Sequence, residues 1–283
     1  MASTLSEAIR EAAAPGKLPD GEPFSGISGS AVSSLARRFE TPARVVEIAA
    51  LTGGVYPLRY IRNFRTFTPD DQIRLLRARV AVIGLGGLGG TVAELLARAG
   101  VGQLTLVDGD GFEESNLNRQ LLCTASGAVA GEPKAGAAAR RVAEINPAVE
   151  PTVHAVYLNS ENGAELLAGA AVAVDCLDTI SARHTLAAAA TAAGIPLVSA
   201  AVAGACGQVT TILPGDDGLT RIYGEADGPA AEAEIGCLGP AVTFLAALES
   251  AEVLKVLLSR GRLLQNRLLI ADLMDASVEV FEL

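Results

Sequence analysis

Cysteine, histidine and basic residues are the scarce features of this 283-residue chain. Its four cysteines, Cys123, Cys176, Cys206 and Cys237, are too widely scattered to form a disulfide framework. The two histidines, His154 in a predicted strand and His184 in a predicted helix, have no sequence-adjacent acid–base partner and read as structural. Lys and Arg number 22 against 32 Asp and Glu, a formal net charge of -10, which opposes broad contact with nucleic-acid backbone or an anionic lipid surface. Hydrophobic residues reach 50%, yet no run of eighteen unbroken apolar residues is present, and the N-terminus lacks the basic start and apolar core of a secretory signal. The expectation is a cytoplasmic protein with a small-molecule or protein partner, no nucleic acid and no membrane.

Glycine, by contrast, is concentrated where it carries meaning. Val80 to Ile83 is an apolar, β-branched run that stops at glycines and is followed by apolar residues at helical spacing, the pattern of strand, tight turn and helix. Glycines at 84, 86, 87 and 89 let the backbone turn and approach a ligand, while the N–H groups at the helix start face an anion. Such a turn serves a dinucleotide or a mononucleotide such as ATP equally well. The next strand ends at Asp108, followed by Asp110, where an acidic side chain can accept hydrogen bonds from ribose hydroxyls.

Residues 1–55 read as a small helical appendage. One short helix precedes a stretch broken by Pro15, Gly16, Pro19, Gly21, Pro23 and Gly26, so 14–30 reads as loop. Residues 30–51 then have helical spacing on both sides of Thr41-Pro42, with Thr41 as cap and Pro42 in first helical position. A DNA-reading helix pair is the sharper interpretation; the acidic balance favours a packing or dimer-contact role. Residues 56–283 form the main domain. Strands are predicted at 79–84, 103–108, 150–157, 171–176, 196–202, 205–213, 266–272 and 277–282, with helices at 88–99, 134–145, 162–168, 180–193 and 240–259. That alternation predicts an α/β, Rossmann-like, mostly parallel sheet with helices on both faces, passing to antiparallel strands at the end. Residues 216–236, rich in Gly, Asp, Glu and Ala, read as a mobile loop.

Further charged groups follow the strand ends. Arg119 and Lys134 supply positive charge for a polyphosphate, and Asp178 follows a strand at the side where open α/β sheets bind ligands, where it can hold Mg²⁺. Singly, either cation is more often a surface ion-pair partner, and Asp178 alone is explained as a cap for the helix starting near Ser181. Jointly, Gly84-x-Gly86-Gly87-Leu88-Gly89, Asp108-x-Asp110, Ser115-Asn-Leu-Asn-Arg-Gln120, Pro133-Lys134 and Asp175-x-x-Asp178 resemble the ubiquitin-activating-enzyme-like adenylyltransferases, in particular bacterial enzymes that activate sulfur carriers for molybdopterin or thiamine synthesis. The resemblance spans about 59–283.

It implies ATP and Mg²⁺ as cofactors, with ribose binding by Asp108, phosphate contacts from Asn116, Arg119 and Lys134, and Mg²⁺ on Asp178. Asp110 and Gln120 fall within the matching motifs. Arg62, in Arg59-Tyr-Ile-Arg62-Asn63, matches an arginine that reaches the neighbouring subunit's site, so the resemblance also implies a homodimer. The implied partners are a small ubiquitin-like carrier ending in Gly-Gly and a sulfur donor.

The chain departs from that pattern in places. No Cys-x-x-Cys pair is present, so no structural zinc is expected. The spacing from Arg119 to Lys134 is about two residues longer than in the family, and Asp178-Thr179 replaces Asp-Asn. Residues 216–236 contain no cysteine. Cys237, ahead of the last long helix, is a candidate covalent acceptor acidified by that helix N-terminus; the alternative is a small core residue. Competing functions are an NAD(P)-dependent oxidoreductase, which leaves Asn116, Arg119, Lys134 and Asp178 without joint purpose; a non-catalytic carrier-binding adaptor, from which the arginine, lysine or aspartate is usually lost; and a related tRNA-modifying dehydratase, disfavoured by the acidic balance.

Overall fold

Thr4 starts the first helix: its hydroxyl accepts from the Glu7 N–H while the Glu7 carboxylate accepts from the Thr4 N–H. In the computed structural model, which describes residues 3–18, 20–63, 65–224 and 231–283, this helix is α1 (Leu5–Ala12). It is followed by β1 (Ala14–Lys17), β2 (Pro23–Ile27), α2 (Gly29–Arg38), α3 (Ala43–Thr52) and β3 (Val55–Pro57). Ala8, Ile9, Ile27, Val32, Leu35, Val46 and Ala50 form a separate small core. The expectation of loop over 14–30 is thus corrected. Residues 14–17 and 23–27 pair as an antiparallel hairpin, with Gly21 at φ +88°, and β2 pairs in parallel with β3. Pro15 misled the reading because it sits on an edge strand, where a missing N–H is tolerated. The appendage therefore contains strands as well as helices, and Pro42, not Thr41, is the N-cap of α3.

A 3₁₀ turn, Leu58–Asn63, leads to α4 (Pro69–Arg77). The main sheet then begins with β4 (Arg79–Ile83), α5 (Gly87–Ala99), β5 (Gln103–Val107), α6 (Ala125–Ala130), α7 (Lys134–Ile145), β6 (Glu150–His154), α8 (Gly163–Leu166), β7 (Val172–Asp175) and α9 (Ile180–Ala193). It continues with β8 (Leu197–Ala203), β9 (Cys206–Ile212), α10 (Gly218–Tyr223), α11 (Glu232–Ile235), α12 (Gly239–Leu258), β10 (Arg267–Asp272) and β11 (Ser277–Glu282). The eight strands lie in the order β11-β10-β9-β8-β7-β4-β5-β6. Strands β6, β5, β4, β7 and β8 are mutually parallel, and the pairs β8–β9, β9–β10 and β10–β11 are antiparallel, as the element order predicts.

Alternation along the strands divides the core. Val80, Val82, Leu104, Leu106, Val172 and Val174 pack beneath α5, α7 and α12, whereas Ala81, Ile83, Val107 and Ala173 meet Leu166, Leu186 and Ala190 on the other face. From β4 the chain runs outward through β5 and β6, then returns to place β7 on the other side of β4. The carboxyl ends of β4 and β7 therefore flank a topological switch point, where connections diverge and leave a crevice. The reading of 216–236 as one loop is also corrected: 218–223 and 232–235 are helical, and 225–230 lie outside the described residues.

Candidate functional site

The crevice is floored by the turn between β4 and α5. Gly84 has φ +87°, and a Cβ there would lie 2.6 Å from the Cys176 carbonyl oxygen; at Gly89 it would lie 1.8 Å from the Gly84 carbonyl oxygen. These two glycines let α5 seat directly on the end of β4. A cavity of about 320 Å³ opens above them. Its walls include Gly84, Gly86, Gly87, Asp108, Asp110, Arg119, Gln120, Lys134, Asp178 and Cys237.

Asp108 follows β5 and turns back over the floor: one carboxylate oxygen accepts from the Leu85 N–H at 2.6 Å and the other from the Asp110 N–H at 2.8 Å. Burial pushes its pKa above the ordinary value, against those backbone donors. Lys134, at the start of α7 and almost fully buried, places Nζ 2.9 Å from Asp110 Oδ2. Burial opposes the charge of Asp110, yet the Tyr157 hydroxyl and the Lys134 ammonium hold its pKa below the usual carboxylate value. Arg119 is half-buried and donates to the Ser115 carbonyl at 3.1 Å and to Asn118 Oδ1 at 3.0 Å. Gln120 is buried, and its Oε1 has no hydrogen-bond partner, leaving an acceptor for an incoming donor at the cavity wall.

Asp178 stands exposed just past β7. The buried Asp175, three residues earlier, is instead consumed structurally: its Oδ2 meets Arg183 at 2.9 Å and the Ser199 hydroxyl at 2.6 Å. Cys237 lines the cavity with its thiol donating to the Val202 carbonyl at 3.3 Å.

Three expected site residues stand elsewhere. Asn116 is buried with its Oδ1 accepting from the Glu113 N–H at 3.0 Å, so its carboxamide shapes the loop and does not line the cavity. Gly89 lies beneath the floor. Arg62 is exposed in the 3₁₀ turn, outside the cavity of its own chain. Tyr157 was not anticipated; its ring lies against Gly109, and its hydroxyl bonds Asp110. Its position just beyond β6, at the ligand-binding edge of the sheet, was the available signal.

Carboxylate and amide acceptors, the cationic donors of Arg119 and Lys134 and a glycine floor suit a nucleoside triphosphate. The exposed carboxylate of Asp178 suits Mg²⁺, which commonly takes one or two carboxylates plus phosphate oxygens. Beside this crevice a second, apolar cavity of about 390 Å³ shares Val202 and is lined by Ile180, Ala201, Gly207, Tyr223 and Ile270.

Residues 59–283 match the model of the ThiF family. The chain is 36% identical over 233 residues to the molybdopterin-synthase adenylyltransferase of Salmonella typhimurium, covering 80% of this chain and 92% of that one. It is 38% identical over 218 residues to the sulfur carrier protein adenylyltransferase of Thermus thermophilus, covering 74% and 80% respectively. Among solved structures, E. coli MccB crystallised with MccA superposes with a TM-score of 0.67 at 21% identity, over 79% of this chain and 71% of that chain. PaaA superposes at 0.64 and 19% identity, over 96% and 98%. At those identities the likeness is one of fold.

Proposed function

Because the chain belongs to the ThiF family, we propose that its crevice adenylates the C-terminal glycine of a small sulfur-carrier protein with ATP. The observation that carries this reading is the convergence of Asp108, Arg119, Lys134 and Asp178 on one cavity above the glycine floor at the switch point. The glycine carboxylate attacks the α-phosphorus, the bond to the bridging oxygen breaks, and pyrophosphate leaves; a nucleophilic sulfur of the donor then attacks the acyl carbon of the adenylate, and AMP leaves. A carboxylate is already ionised at neutral pH, so the enzyme supplies alignment and charge neutralisation more than proton transfer. Arg119 and Lys134 provide cationic donors, Gln120 and Asp108 hydrogen-bonding groups for the nucleoside, and the glycine floor close backbone approach. Asp178 would hold Mg²⁺, whose charge offsets that of the phosphates. The apolar cavity and the neighbouring sheet face, with Ile270 and Phe281 exposed, would receive the carrier.

Arg62 acts, on this reading, in the site of a partner subunit of a homodimer, which accounts for its absence from its own cavity. The division into an appendage, 1–55, and an adenylation domain, 56–283, belongs to the same proposal, as do a cytoplasmic setting and a chain without structural zinc. Among the described residues no helix is long and apolar enough to cross a membrane. Cys237 remains a candidate acceptor after adenylation, placed at the junction of both cavities through its bond to Val202.

The test is carrier-dependent ATP–pyrophosphate exchange with a small protein ending in Gly-Gly that co-purifies with the enzyme. Exchange is expected, and ATP but not NADH raises the melting temperature; no exchange with any such carrier would overturn the assignment. Mixing Arg62→Ala and Lys134→Ala chains, each retaining only a small residual rate alone, raises activity well above either if Arg62 works across the dimer, because one mixed site then has both cations.

A further inference from the structure

Three elements that begin at or carry the reactive groups meet at one buried carboxamide on the far side of the molecule. Helix α5 starts at the glycine floor and ends at Ala99, while α7 starts at Lys134 and is capped at its C-terminus by Asn146. The 3₁₀ turn carries Arg62. Asn146 is 1% exposed. Its Nδ2 donates to the Ala97 carbonyl in the last turn of α5 at 2.9 Å and to the Tyr60 hydroxyl at 2.9 Å. Its Oδ1 accepts from the Ala148 N–H at 3.1 Å and from Arg59. Two donors and two acceptor sites are all filled, the full capacity of a carboxamide.

The chain of bonds continues into the appendage. The Tyr60 hydroxyl donates to Glu47 Oε2 at 2.9 Å, and Arg59 Nε lies 3.1 Å from Glu47 Oε1. Glu47 is fully buried on α3, and Tyr60 is 5% exposed. Glu47 Oε1 has the Arg59 ion pair but no hydrogen bond, so the filled centre of the network is Asn146. Apolar packing alone allows helices to slide with little penalty, whereas a fully bonded buried carboxamide specifies one arrangement, since a shift leaves a group unpaired.

We infer that Asn146, Tyr60 and Glu47 are positioning residues that fix the Arg62 turn on the body of its own chain, and so set how Arg62 is presented to the partner subunit's site. The appendage thereby contributes to adenylation without touching substrate. This rests on the adenylation reading and its use of Arg62.

Tyr60→Phe tests it, because the ring stays and only the hydroxyl joining Glu47 to Asn146 is removed. The expected result is a fall of about tenfold in kcat for carrier-dependent exchange, with the KM for ATP changed by less than about twofold. Introduced into Arg62→Ala, the same change lowers the rate by less than about twofold further, because its effect passes through Arg62. Glu47→Gln keeps an acceptor for the hydroxyl and holds the rate, whereas Glu47→Ala reproduces the Tyr60→Phe loss. A wild-type kcat in Tyr60→Phe, or an equal tenfold loss with and without Arg62, overturns the inference in favour of simple packing. A wild-type rate in Arg62→Ala overturns it too, while exchange persists and the adenylation reading stands. Absence of exchange in the unmutated enzyme would instead sink that reading.

Discussion

The two halves of the main sheet present different surfaces. In the parallel half, β6-β5-β4-β7-β8, every strand delivers its carboxyl end to one side, so charged residues in the following turns gather there: Asp108, Lys134 and Asp178 around the glycine floor. In the antiparallel half, β9-β10-β11, successive strand ends alternate sides, and no such cluster can accumulate. What this half offers is a face: Ile270 is 38% and Phe281 47% exposed, next to the apolar cavity. The first is a charged crevice; the second is a mixed face on which Ile270 lies between Gln208 and Glu279, and the two meet at Val202, which lines both cavities.

Substitutions in each half should separate these roles. The largest effect belongs to Lys134→Ala, which removes a buried cation from the crevice. It is expected to cost about 3 kcal/mol in the transition state, roughly a hundredfold or more in kcat for exchange; an unchanged rate would detach Lys134 from the chemistry. Ile270→Glu replaces an apolar contact of this face with a second carboxylate beside Glu279. The KM for the carrier should rise about tenfold, near 1.4 kcal/mol, while the KM for ATP stays put. Equal changes in both constants would mean that the halves do not divide the work.

The smallest effect lies at their shared support. Glu249 on α12 is fully buried, and burial, with Asp175 nearby, pushes its pKa well above the ordinary 4.5, against the Cys176 thiol, which donates to Oε2 at 3.5 Å, and the Ala200 backbone N–H. A raised acid favours the protonated folded state, so its contribution is full below pH 4.5 and declines as pH rises toward the folded value. Glu249→Gln removes that decline. The variant should melt higher at pH 8 by roughly 2–4 °C, about 1 kcal/mol for a chain of this size, with little difference at pH 4; a uniform shift across pH would show that ionisation is not the cause.

Much of this architecture is legible in the sequence. Periodicity located the strands of the main sheet, and charged residues after strand ends marked most of the cavity wall. The appendage was less legible, because Pro15 and Gly16 look like breakers when one cannot tell an edge strand from a loop. Asn116 shows a different limit: a motif position identifies the residue, but its carboxamide was claimed by the nearby Glu113 N–H. Tyr157 was overlooked because a lone tyrosine after a strand carries no pattern of its own.

The sequence by itself determined the strand–turn–helix floor, the parallel-to-antiparallel order and the cations and carboxylates available for chemistry, because local spacing and backbone sterics act within a few residues. Tertiary structure decided which of those groups share a cavity and which are consumed as supports. Asp175 and Asp178 are three residues apart, yet one is sealed against Arg183 and Ser199 and the other stands open at the crevice. Asn146 likewise joins α5, α7 and the Arg62 turn only because the fold brings Tyr60 and Ala97 within 2.9 Å of its side chain. Burial and partnership depend on residues distant in the chain.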